Sequence, residues 1–184
     1  MGTTTQSARL PRRQVTFSAR VASLRARALG GDITAWWELG CLFGDGDVDA
    51  RGRVSTPPDH RGAFKAFRRG ADLGDTSALL NLGVCYDSGL GTRRNRTAAR
   101  RCYQRVWRRT RDGAAASNLA TWYRDTEDHR RAMAWYAKTA AAGDGDAHVD
   151  IAYGTYYGLG TRRNVARALS ALGRADHAPS ITPY

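Results

Sequence analysis

One seven-residue phrase occurs twice in this chain. Gly89-Leu90-Gly91-Thr92-Arg93-Arg94-Asn95 returns unchanged as Gly158-Leu159-Gly160-Thr161-Arg162-Arg163-Asn164, at an offset of 158 − 89 = 69 residues. A second, unrelated phrase keeps the same offset: Asp59-His60-Arg61 ahead of Ala63 becomes Asp128-His129-Arg130 ahead of Ala132. Two phrases sharing one offset mark an internal repeat. A repeat of this length points to stacked units that bury their apolar faces against their neighbours.

The unit is about half that offset. A signature of Ala, three residues, Leu-Gly, two residues and an aromatic is met as Ala35, Leu39-Gly40, Phe43 and again as Ala78, Leu82-Gly83, Tyr86. It continues as Ala115, Leu119-Ala120, Tyr123, and in altered form as Ala147, Ile151-Ala152, Thr155. Positions i, i+4 and i+8 share a helix face, so each signature predicts an amphipathic helix, here termed helix A. The small residue beside each Leu lets a neighbouring helix approach closely. Asp59, Asn95, Asp128 and Asn164 each stand four residues ahead of an alanine (Ala63, Ala99, Ala132, Ala168). Asp and Asn side chains accept from the unpaired amides of a first helical turn, so these four predict N-caps of a second helix, B.

The predicted pairs run 32–43 with 60–73, 76–87 with 95–110, 113–124 with 129–142, and 145–156 with 165–174. A lone helix over 15–29, with Phe17, Val21 and Leu24 at helical spacing and Gly30-Gly31 ending it, is expected to cap the first pair. Residues 1–14 are expected to form a disordered basic tail and 175–184 a flexible one, leaving 15–174 as the repeat domain.

Leu82-Gly83 with Tyr86, then Gly89-x-Gly91, and an Asp128-led helix containing Ala132-Met133-Ala134-Trp135-Tyr136-Ala137-Lys138 resemble the Sel1-like repeat family, relatives of the tetratricopeptide repeats. The resemblance spans 31–174 and is strongest in the second and third copies. The first copy carries an insertion, and the fourth lacks its aromatic and much of its helix B pattern. The resemblance implies an all-α, right-handed solenoid of about four antiparallel helix pairs, serving as an adaptor surface and usually without catalysis.

Composition narrows the setting. No apolar run reaches the roughly 20 residues needed to span a membrane. The polar, acid-free start over 1–18 lacks the apolar core of a secretory signal, although its Ser, Thr and Arg content could mimic a transit peptide. Three cysteines, Cys41, Cys85 and Cys102, form neither an even set nor a metal-like spacing. They also depart from the per-repeat cysteine pairs of the family's secreted members, so a reducing cytoplasm is expected.

Catalytic and metal chemistry finds little footing in these residues. Asp45, Asp47 and Asp49 resemble the start of a calcium loop, but Ala50 stands where the turn needs Gly and Thr56 where the bidentate Glu belongs. A solvated insertion over 44–58 is the expectation. His60, His129, His148 and His177 have no partners at ligand spacing. Gly89-Leu90-Gly91 lacks the following Gly and Lys of a phosphate loop. No catalytic residue, cofactor or small-molecule substrate is expected.

Two surfaces remain as binding candidates. Opposite the buried stripe of helix A stand Leu80 and Val84, with Trp37 and Cys41, Ser117 and Thr121, and Val149 and Tyr153 as equivalents. In a stack of pairs this side lines the concave groove, unless tight curvature buries it against the next repeat. A largely apolar face where water is expected marks an interaction site, with Asn81 and Asn118 placed to hold peptide backbone as they do in peptide-binding relatives.

The second surface is arginine-rich. The chain carries a net charge of +12, and residues 93–111 alone hold nine arginines and no acid. There Ala99, Cys102 or Tyr103, and Val106 are expected to face inward, with Arg101, Arg105 and Arg108 as an outer stripe. The expected function is a cytoplasmic, non-catalytic adaptor that holds a protein or peptide in the groove, with no membrane role. The alternative is binding of nucleic acid or an acidic protein through the arginine stripe.

Overall fold

The computed structural model describes residues 16–49 and 51–175. The predicted N-terminal tail, almost all of the C-terminal one, Ala50 and His177 lie outside them. The described chain opens with α1 (Phe17–Leu29) and continues as helix pairs: α2 (Thr34–Asp45) with α3 (His60–Asp72), and α4 (Thr76–Ser88) with α5 (Arg96–Thr110). Then come α6 (Gly113–Asp125) with α7 (His129–Ala141), and α8 (Ala147–Tyr157) with α9 (Val165–Leu172). Each helix packs on its neighbours in sequence, and α2 also touches α4. The result is an α-solenoid in two layers, helices A (α2, α4, α6, α8) in one and helices B (α3, α5, α7, α9) in the other.

Hydrogen bonds to helix ends set the boundaries. Side-chain oxygens of Asp59, Asn95, Asp128 and Asn164 accept from Gly62, Ala98, Arg131 and Arg167 amides at 2.8, 3.0, 3.1 and 2.9 Å. The same four residues close each pair in a second way. Their own amides donate to the carbonyls of Phe43, Tyr86, Tyr123 and Thr155 at 2.7, 2.7, 3.0 and 3.0 Å. The aromatic position of the signature therefore marks where helix B docks onto helix A, whatever side chain occupies it.

The two sequence phrases that share an offset touch one another. Gly91, at φ +70°, lies so close to the His60 carbonyl that a Cβ there would run into it. Gly160, at φ +69°, meets His129 in the same way. The loop after one helix A thus seats on the start of the preceding helix B, and only glycine permits both the left-handed backbone and the contact. The arginines of the phrase complete the turn: Arg94 Nε donates to the Asp87 carbonyl at 2.7 Å and Arg163 Nε to that of Tyr156 at 3.1 Å.

Small residues beside each signature Leu admit the ring of helix B. A Cβ on Gly40 would strike Phe67, and one on Gly83 would strike Tyr103. Cys102 and Tyr103 both face inward, with Ala99 and Val106. The cap helix packs as expected, with Val21 in a cluster with Leu39, Leu42 and Ala66.

The insertion differs from a plain solvated loop. Asp47–Val48 (β1) pairs antiparallel with Val54–Thr56 (β2). Asp49 closes this hairpin, accepting from the amides of Arg51 and Arg53 at 2.8 and 3.0 Å. Those amides, with the Arg53 guanidinium, hold its carboxyl below the usual carboxylate range. The β-branched Val54 and Thr56 carried the signal for this hairpin, but three nearby acids resembled a metal loop more loudly.

Candidate binding groove

The A layer is the candidate groove, and its predicted residues fall into different environments. Leu80 and Val84 are half-buried against Ala99, Tyr103 and Leu119. This packing draws both side chains toward the seam between the second and third pairs, while Val84 also keeps a face on a neighbouring cleft. Trp37 is half-buried against the cluster of Phe67, Ala71 and Leu79, with its indole Nε1 buried and without a hydrogen-bond partner among the described residues.

Cys41, Asn81 and Val84 do come together. They line a cleft of about 230 Å³ between α2, α3 and α4, with Ala63 and Phe67 beneath. Asn81 Nδ2 donates to the Ser77 carbonyl at 3.0 Å, and its side-chain oxygen has no partner among the described residues. Asn118 and Thr121 are half-buried on α6. Tyr153, by contrast, is 60% exposed and meets Tyr157 at a tilt, 4.7 Å between ring centres, and Tyr157 in turn meets Tyr156 at 4.9 Å. Sequence reasoning selected Tyr153 alone from this exposed trio. Tyr156 and Tyr157 were legible as aromatics on the last turn of the same helix.

A ladder of alternating charge crosses the A layer, and the sequence reading missed it. Arg96 lies 3.5 Å from Asp87 and 3.1 Å from Asp125. Arg124 lies 3.3 Å from Asp125 and 3.7 Å from Asp150, and donates to the Tyr136 hydroxyl at 3.2 Å. Trp122 anchors the ladder, donating from Nε1 to the Arg96 carbonyl at 2.9 Å beneath the Arg100 guanidinium at 4.8 Å. The partners sit on three different helix pairs, which no local spacing reveals.

The arginine-rich stretch therefore splits in two. Arg96 and Arg100 belong to the seam, whereas Arg101, Arg105 and Arg108 are exposed on the outer side of α5. Among the described residues none of these three has an ion pair or a side-chain hydrogen bond.

The remaining reactive side chains are dispersed. Cys41, Cys85 and Cys102 are free thiols, and burial pushes all three above the usual thiol range. Tyr103 is pushed up as well, by burial first and then by Asp87. Among the described residues no group of three or more His, Cys, Asp and Glu is arranged to hold a metal ion. Nor is any helix among them long and apolar enough to cross a membrane.

Known proteins share this architecture. The chain overlays c5321, a protective antigen of uropathogenic Escherichia coli with an SLR fold, at a TM-score of 0.72 and 23% identity, covering 84% of this chain and 32% of that one. A Sel1 repeat protein of Oxalobacter formigenes gives 0.68 at 20% identity, covering 85% and 65%, and MamA gives 0.60 at 19%, covering 86% and 85%. A curated relative, rat DAP3-binding cell death enhancer 1, is 43% identical over 47 residues, which is 26% of this chain and 9% of that protein. The Sel1 repeat model matches residues 37–75, 76–105, 113–144 and 145–170. Those matches take up most of the chain, which thus belongs to the Sel1 repeat family.

Proposed function

We propose that this chain is a non-catalytic scaffold of the cytoplasm that holds an extended or helical segment of a partner protein against its A layer. The exposed trio Tyr153, Tyr156 and Tyr157 carries this reading. Three large rings at 60, 43 and 59% exposure on the last A helix form the aromatic surface that interfaces use as anchors. The cleft at Cys41, Asn81 and Val84 supports it, with room for one apolar side chain and an asparagine oxygen for backbone. Three free thiols suit a reducing compartment. The name of the rat relative is that of a protein which binds another protein.

Selection of peptides from a random display library on the whole chain tests the proposal. Selected peptides should lose about 2 kcal/mol of affinity, roughly thirtyfold, with Tyr153→Ala. The melting temperature should move by only a few degrees, because the ring is exposed. Trp37→Ala is a poorer probe, since Trp37 packs on the core. Selected peptides that bind Tyr153→Ala and Asn81→Ala as tightly as the native chain would overturn the A-layer site.

A further inference from the structure

The outer face of α3 holds a second cleft, distinct from the A layer. It has a volume of about 490 Å³, with Arg61, Lys65, Arg68 and Arg69 along one wall and the turn Gly91-Thr92 opposite. Phe64 forms an apolar patch between them, held edge-on to Tyr86 at 5.5 Å, and Asp72 is the one acid in the lining. All four cations are exposed, and none has an ion pair or side-chain hydrogen bond among the described residues. Exposed Arg93 directly follows the turn.

The cations that the chain pairs with its own carboxylates lie elsewhere. Arg27 binds Asp32 and Glu38, Arg96 binds Asp87 and Asp125, and Arg124 binds Asp125 and Asp150. The chain matches its cations with its own carboxylates at the α1–α2 corner and across the A layer. The α3 cleft sets four cations against Asp72 alone, a concentrated positive surface that an acidic segment would complement.

We infer that the cleft between the outer face of α3 and the Gly91-Thr92 turn docks an extended, acidic segment of a partner protein. Arg61, Lys65 and Arg69 recur every four residues, a rise of about 6 Å along the helix. Alternate residues of an extended strand are spaced by roughly 6.6 Å, so carboxylates at every second position of such a segment meet successive cations. Guanidinium groups pair with carboxylates through two parallel donors, and Phe64 offers contact to an apolar residue between the acids.

Nucleic acid fits less well. The major groove, about 12 Å wide, admits a single protruding helix, whereas α3 and α5 each lie within a layer. Among the described residues no ring on this face is free to stack on bases, because Phe64 is paired with Tyr86 and Trp107 with Trp135.

The whole chain, titrated at low and at physiological salt with a labelled peptide of six Glu-Thr repeats, tests the inference. The comparison probe is single-stranded oligothymidylate of equal charge. The peptide should bind more tightly than the oligonucleotide. Charge reversal at Arg61, Lys65 and Arg69 together should weaken it at least about tenfold. Reversal of the equally exposed Arg130, Arg162 and Arg167 should change it by no more than about twofold, and Tyr153→Ala should leave it unchanged. Equal losses in the two triple variants would reduce the effect to net charge and overturn the cleft, as would absence of peptide binding to the native chain. Tighter binding of the oligonucleotide would transfer the surface to nucleic acid. Should the α3 triple variant lose its helical spectrum, Lys65→Glu against Arg130→Glu in the same titration decides: loss with Lys65→Glu alone supports the cleft, and any other result overturns it.

Discussion

The seam between the second and third pairs and the seam between the third and fourth have the same backbone plan and opposite fillings. In the first, Ala99, Tyr103 and Leu119 are buried with Leu80, Val84, Trp107 and Trp135 packed around them. Trp107 and Trp135 meet edge-on at 5.4 Å, and Lys138 lies 3.7 Å over Trp135. In the second, Thr155 stands where the signature has an aromatic, and Ala171 where α7 has Trp135. The space they leave is a cleft of about 490 Å³ among α7, α8 and α9. Val165 and Leu169 on α9 remain 42 and 58% exposed. Yet Asn164 docks on Thr155 much as Asn95 docks on Tyr86, at 3.0 against 2.7 Å. Backbone hydrogen bonds and glycine contacts set the geometry of this solenoid, while side-chain filling sets how firmly each seam is held.

Cutting the same position in both pairs measures that difference most directly. Tyr103 and Leu172 are equivalent, eight residues after their caps, but Tyr103 is fully buried and Leu172 only half so. Tyr103→Ala should cost about 3–5 kcal/mol, the range for a core aromatic. Leu172→Ala should cost about 1–2 kcal/mol, because partial exposure reduces the apolar area returned to water. Urea unfolding of the two variants checks the ratio. Equal costs would mean that the fourth pair is as firmly packed as the second.

The glycine contacts should behave alike in both repeats. Gly91→Ala and Gly160→Ala each force a Cβ toward the carbonyl of a preceding helix start at a positive φ, and each should cost about 2–3 kcal/mol. Gly74 separates strain from collision: it has φ +103° but nothing within 4 Å of a Cβ, so Gly74→Ala should cost only about 1 kcal/mol. If Gly160→Ala proves no costlier than Gly74→Ala, the contact with His129 does not hold the looser seam together.

Most of the fold was legible because its signals are local. Each Ala–Leu–aromatic signature lies within one helix, and each Asp or Asn cap lies within one turn of the helix it starts, so spacing alone located them. Even the contact between the two phrases left a trace, as one shared offset, although its cause lay in Gly91 meeting His60 across 31 residues (91 − 60). The groove was less legible. Whether Leu80 faces solvent or Leu119 depends on how far the stack curves, a quantity summed over every seam and written in no single helix. The charge ladder was invisible for the same reason, since Asp87, Arg96, Asp125 and Asp150 become neighbours only after three pairs have stacked.

The smallest expected effect concerns Asp150, the last carboxylate of that ladder. Burial pushes its pKa above the usual carboxylate value, while Arg124, 3.7 Å away, and the Tyr136 hydroxyl pull it back. A raised carboxyl keeps its proton longer in the folded chain than in the unfolded one. Its favourable contribution is therefore complete below the ordinary carboxylate pKa and is lost as pH rises through the folded value. Asp150→Asn removes this titration, so near neutral pH the variant should melt at or slightly above the native chain, within about 1 kcal/mol. As pH falls through the carboxylate range the native Asp150 gains its proton, and the variant's advantage should shrink to nothing. Thermal melting of both proteins across that range reads the difference directly. A variant that melts well below the native chain at neutral pH would mean that pairing with Arg124 outweighs burial, which would make the ladder a second support for the looser seam.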